Sequence, residues 1–98
     1  MQQTKATIYL GRNIGERVDA VNVAQATEVV AARLSGFTRT EGLGFWHGKP
    51  ENSLAFSAIV LDTEHERQNI RSIALGLKGA FEQEAVLVEF ATVDVEFV

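Results

Sequence analysis

The sequence predicts a single α+β domain over residues 1–98, on three observations. Apolar residues alternate at period two in several stretches. They recur at helical spacing in two others. The stretches follow one another as strand, helix, strand, strand, helix, strand, with glycines, polar runs or capping patterns between them.

The first strand is "ATIYLG", where Ala6, Ile8 and Leu10 alternate with Thr7 and Tyr9. "RNIGERVDA" follows as a polar loop. In "NVAQATEVVAARLSG", Val23, Ala26, Val30 and Leu34 form one helical stripe. Asn22 and Gln25 have capping-box spacing, and Gly36 stands where a C-terminal cap belongs. "FTRTEGLGFWH" reads as a weaker strand with Gly42 and Gly44 on one face, which suggests a bulge or a close approach by another group. "GKPEN" is the expected turn, and "SLAFSAIVLD" is the clearest strand.

The second helix opens at Thr63 and Glu66, again at capping-box spacing. Ile70, Ile73, Ala74, Leu77 and Phe81 continue it. In the closing "AVLVEFATVDVEFV" the apolar alternation slips phase between Phe90 and Val93, so a bulge is expected near Ala91–Thr92. The order βαββαβ is the split βαβ, or ferredoxin-like, pattern: a four-stranded antiparallel sheet with two helices on one face. The opposite face would turn Tyr9, Ile59 and Leu61 toward water, and a homo-oligomer through that helix-free face is expected.

Composition narrows the function classes. Hydrophobic residues make up 46% and charged residues 22%, as in ordinary globular chains and unlike disordered ones. There is no cysteine, which removes disulfides and thiol chemistry. A net charge of −4 argues against general nucleic-acid binding. No apolar run nears the ~20 residues of a membrane span, and "MQQTKAT" lacks a signal-peptide core. The expected location is the cytoplasm, that of a host cell if a phage encodes the chain.

The stretch "EGLGFWHGKPEN" tests several chemistries. "GLGFWHG" nearly spells a dinucleotide fingerprint, but aromatics, a turn and a strand follow it where a helix must open. His47 and Glu51 suggest a metal only weakly, because His65 is the one other histidine and no ligand triad of known spacing exists. Ser53 lies near His47, but no positioned acid or oxyanion hole accompanies them. Neither a metal nor a cofactor is expected.

Several segments resemble a known family. "TIYLGRNIG", "GFTRTEGLGFW", "FEQEAVL" and "VDVEFV" look like the uncharacterised bacterial and phage family called domain of unknown function 3574. Its pattern matches at Gly11, Gly36, Thr38, Gly44, Trp46, Glu51, Ser53, Phe81, Gln83, Glu84, Val86 and Leu87. Leu10 departs from a Phe, and Glu41 from an Asp. The resemblance implies a compact α+β domain, often of phage or prophage context, and implies no reaction.

The candidate ligand-binding residues are Arg12, Asn13, Trp46, His47, Lys49, Glu51, Ser53 and Gln83, with no catalytic residue assigned. A Trp face stacks on a base, and Arg12 with Lys49 meets a phosphate. The expected function is therefore non-enzymatic binding of a small anionic, nucleotide-type ligand, as a phage protein that sequesters a host defence signal would do. Two alternatives stand beside it. One is an inhibitor that meets a host protein through an acidic surface. The other is a small dimeric enzyme of monooxygenase type, with Tyr9, His47 and Trp46 as its candidates.

Overall fold

The computed structural model describes residues 2–98. Its elements are β1 (Gln2–Gly11), α1 (Val23–Ala31), β2 (Thr38–Trp46), β3 (Lys49–Val60), α2 (Glu64–Ala80) and β4 (Leu87–Asp94). The strands form one antiparallel sheet in the order β2-β3-β1-β4. This is the expected ferredoxin-like α+β arrangement.

Alternation in the two central strands explains where the core lies. Ala6, Ile8 and Leu10 of β1 and Leu54, Phe56, Ala58 and Val60 of β3 are buried beneath the helices. Ala26 and Val30 of α1, with Ile70, Ile73, Ala74 and Leu77 of α2, close the core from above. Each fully buried Leu, Ile or Phe contributes about 1.5–3 kcal/mol relative to exposure.

Both helices begin where the capping patterns place them. Asn22 Oδ1 accepts from Gln25 N–H at 2.9 Å, and Thr63 Oγ1 accepts from Glu66 N–H at 3.2 Å. Each cap is worth ~1 kcal/mol.

Three local expectations are corrected. First, α1 ends at Ala31 rather than near Gly36. The amides of Arg33 and Leu34 both turn back onto the Val30 carbonyl, which tightens the last turn and folds Leu34 against the core.

Second, the β2–β3 turn is only His47–Gly48, both at positive φ (51° and 75°), as a two-residue type I′ hairpin requires. Lys49, Pro50, Glu51 and Asn52 therefore belong to β3. Pro50 is tolerated because β1 stops opposite Ser53, which leaves β3 a free edge beyond that pair.

Third, β4 carries no bulge, since it pairs with β1 without interruption from Gln2↔Asp94 to Tyr9↔Leu87. The phase slip in its sequence is a change of face: Val88 and Phe90 pack on the core, whereas Val93 belongs by register to the helix-free face.

Candidate active site

The helix-free face is paved in transverse rows. Thr38, Ser57, Thr7 and Glu89 form one, and Thr40, Ala55, Tyr9 and Leu87 the next. The third is Gly42, Ser53 and Gly11. Beyond it Gly44 pairs with Glu51, past the end of β1. Small residues thus floor the end of the sheet where β1 stops, and Glu51 is the charged group set into that floor.

The Glu51 carboxylate leans over β1. A Cβ built on Gly11 would lie 2.5 Å from Glu51 Oε2 and 2.9 Å from Oε1. Glycine at position 11 is what admits the carboxylate. Asn13 N–H donates to Oε2 at 2.9 Å, and Oε1 takes no hydrogen bond among the described residues.

The adjoining loop is tied down by polar contacts. Arg12 N–H donates to the Asn52 carbonyl, and Asn13 Oδ1 accepts from Asp19 N–H at 3.0 Å. Asn52 Nδ2 reaches the Asp19 carboxylate at 3.1 Å. Asp19 itself takes a positive φ of 54°, which Asp accepts more readily than most residues. From the far side of the fold, Gln83 Nε2 donates to the Asn13 carbonyl at 3.0 Å.

The candidate residues divide into two groups. Arg12, Asn13, Glu51, Ser53 and Gln83 gather at the end of β1. Trp46, His47 and Lys49 stand at the hairpin tip, with Trp46↔Lys49 two pairs beyond Gly44↔Glu51. At strand spacing that is about 7 Å farther along. Trp46 is 53% exposed and meets the His47 ring edge-on at 4.9 Å.

Arg12 does not present a free guanidinium. Its side chain is mostly buried, with Nη2 on the Val21 carbonyl at 3.4 Å and Nη1 at 3.9 Å from Asp19. A phosphate would have to compete with contacts inside the loop.

A shallow groove of about 470 Å³ lies along the helix-free face, lined by Thr7, Tyr9, Thr40, Ser57, Lys5 and Glu89 among others, and its Tyr9–Ala55 row is the one next to Gly42, Ser53 and Gly11. Tyr9 OH donates to Glu89 Oε1 at 3.4 Å, and the hydroxyls of Thr7 and Ser57 lie 3.2 Å apart. Pattern reading missed this groove. Its signal is Thr7 of β1, Thr38 and Thr40 of β2 and Ser57 of β3 on one face of the sheet, which is ordinary for solvent-facing strands. Among the described residues no three His, Asp or Glu side chains gather as a metal site, and no helix is long and apolar enough to cross a membrane.

Solved structures share this fold. One is a phage SAM lyase in its apo state, with a TM-score of 0.78 and 20% identity, covering 99% of this chain and 93% of that one. Another is a phage SAM lyase in complex with S-methyl-5′-thioadenosine, with a TM-score of 0.74 and 19% identity, covering 98% of this chain and 92% of that one. At these identities the likeness is one of fold. No protein-family profile and no curated protein matches the chain.

These neighbours overturn the expectation of a non-enzymatic protein that sequesters an anionic nucleotide. Both are forms of a lyase, and the molecule bound in one of them is a nucleoside thioether with no phosphate. The internal contacts of Arg12 give the physical reason in this chain. The residue expected to meet a phosphate is already engaged within its own loop.

Proposed function

We propose that this chain is a lyase acting on S-adenosylmethionine, releasing S-methyl-5′-thioadenosine. The observation that carries the proposal is a shared fold over nearly the whole of both chains, combined with one carboxylate set into a glycine floor on the open sheet face. The positions that resemble domain of unknown function 3574 belong to the same reading, because Gly11 makes room for the Glu51 carboxylate, and Glu51 and Gln83 both hydrogen-bond Asn13.

Release of the thioether breaks the bond between the sulfonium sulfur and the terminal carbon of the amino-acid chain. The bonding electrons pass to sulfur, which loses its positive charge. The carbon is satisfied by attack of the substrate's own carboxylate, which closes a lactone as the carbon–sulfur bond breaks, and this route needs neither water nor a proton acceptor.

A carboxylate beside the sulfur would stabilise the charged ground state more than the discharging transition state, which slows the reaction. Glu51 therefore serves the amino-acid end: it accepts from the ammonium group and orients the carbon chain. The thioadenosine portion lies along the groove, with the Tyr9 ring against the base and the Thr and Ser hydroxyls near the ribose.

The enzyme works in the cytoplasm of a phage host, where it removes the cell's methyl donor. It assembles with itself through the helix-free face, so that the groove lies between two copies and Tyr9 and Ile59 line both groove and interface. Tyr9 and Ile59 are 36% and 39% exposed there, and Val93 joins the same face by register. A face of this kind is commonly a partner surface.

The test is incubation of the purified protein with S-adenosylmethionine, followed by chromatography for S-methyl-5′-thioadenosine. Enzyme-dependent release is expected, and Glu51→Gln should lower it by about a hundredfold or more. No release at enzyme concentrations above that of substrate would reject the proposal.

A further inference from the structure

We infer that Gln83 is a positioning residue for Glu51, acting through the backbone of Asn13. The inference rests on the lyase reading for its catalytic consequence, but the geometry stands without it.

The floor around Glu51 gives its carboxylate little steric guidance, since Gly11 and Gly44 offer no side chains. The hydrogen bond from Asn13 N–H is what orients it. Asn13 lies in a loop pinned by the Ile14–Arg17 bridge, and the Arg12 carbonyl of its own peptide unit accepts from Val21 N–H at 2.9 Å, but the rest of the residue must be held by further contacts for its amide to stay aimed at the carboxylate. Two contacts do so. Asn13 Oδ1 accepts from Asp19 N–H within the loop, and the Asn13 carbonyl accepts from Gln83 Nε2 at 3.0 Å across the fold.

Gln83 is itself rigidly placed. Its backbone N–H returns to the Lys78 carbonyl at 3.0 Å, and Glu82 before it takes a positive φ of 51°. That combination is the Schellman ending of a helix, here at the C-terminus of α2. The side-chain Nε2 also donates to the Phe81 carbonyl at 3.1 Å. Both amide hydrogens thus meet carbonyl oxygens. This dictates the amide's orientation, since an oxygen in the same place would face two acceptors. The end of α2 is thereby connected to the Glu51 carboxylate through one side chain and one residue of backbone.

The experiment compares wild type, Gln83→Met and Gln83→Lys. Met keeps the length and loses both donors, whereas Lys restores donors at the same place. One readout is hydrogen exchange of the Asn13 amide, with the Tyr9 amide of β1 as reference. The other is S-methyl-5′-thioadenosine release, with kcat and KM determined separately.

In Gln83→Met, Asn13 protection and kcat should each fall about tenfold, the scale of one lost hydrogen bond. KM should stay within about twofold and Tyr9 should keep its protection. Gln83→Lys should recover both quantities. Unchanged Asn13 protection in Gln83→Met overturns the inference. So does an equal loss at Tyr9, which would mean general destabilisation, or a loss of protection with kcat intact. If wild type releases no thioether, the lyase reading fails, and the positioning of Asn13 is decided by hydrogen exchange alone.

Discussion

The Glu51 carboxylate fills the space in which any side chain on Gly11 would sit, 2.5 Å from the position of its Cβ. The two residues are distant in sequence and belong to adjacent strands. Their fit makes Gly11 part of the candidate site even though it has no functional group of its own.

Gly11→Ala should therefore displace Glu51 rather than unfold the domain, because the obstructing atoms are the end of a flexible side chain. Thioether release should fall about tenfold or more, with thermal stability nearly unchanged. A double-mutant cycle checks the cause. In a Glu51→Ala background, the added methyl should cost nothing further, since the atoms it would strike are gone.

Glu82 occupies a left-handed backbone position at the end of α2, where glycine carries no Cβ penalty. Glu82→Gly should stabilise the fold by about 0.5–1 kcal/mol. The melting temperature should rise by a few degrees in calorimetry. The Arg17–Glu82 ion pair that is lost spans 3.6 Å between two well-exposed side chains and contributes little. A lower melting temperature would show that this pair outweighs the backbone gain.

Two aromatic residues should behave in opposite ways. Phe56 is buried, with its ring tilted against Phe37 at a centroid distance of 6.0 Å. Phe56→Ala should cost about 3–5 kcal/mol through the cavity it leaves. That is a large share of a small domain's stability. Trp46→Ala, at the exposed hairpin tip, should leave a folded protein with a change of about 1 kcal/mol or less. Denaturant unfolding distinguishes the two, and outright unfolding of the Trp46 variant would contradict the exposure seen here.

At the start of α2, hydrogen bonds from Arg71 at 2.8 Å and Gln68 at 3.0 Å hold the Glu64 carboxyl below its ordinary value. A carboxyl lowered in the folded state adds stability above its ordinary titration range. That contribution is lost as the pH falls through this range toward the lowered folded value. The group is solvent-exposed, so the contribution is small. Arg71→Ala should move the Glu64 titration upward in carboxyl-carbon NMR while leaving the melting temperature at neutral pH almost unchanged.

The neighbouring lyases change how the sequence is read. Trp46, His47 and Lys49 attract notice because aromatic and basic side chains are what a nucleotide needs. The structure places them at the tip of a hairpin, past the end of β1. The Thr and Ser hydroxyls that line the groove attract none, because each is ordinary on a solvent-facing strand.

The amino-acid sequence by itself determined the kind and order of the elements, the core alternation of β1 and β3, and the caps at Asn22 and Thr63. These depend on periodicity and on contacts within a few residues, so a linear reading reaches them. The meeting of Gly11, Asn13, Glu51 and Gln83 was decided by tertiary structure alone. Asn13 is 38 positions from Glu51 and 70 from Gln83. Their contact depends on strand register. The two-residue turn at His47–Gly48 sets that register, placing Glu51 within β3 opposite Gly44 rather than in the expected turn. A one-residue slip would have sent the carboxylate to the other face of the sheet. The inward turn of Arg12 follows the same logic, because its partners at Asp19 and Val21 exist only once the loop has closed.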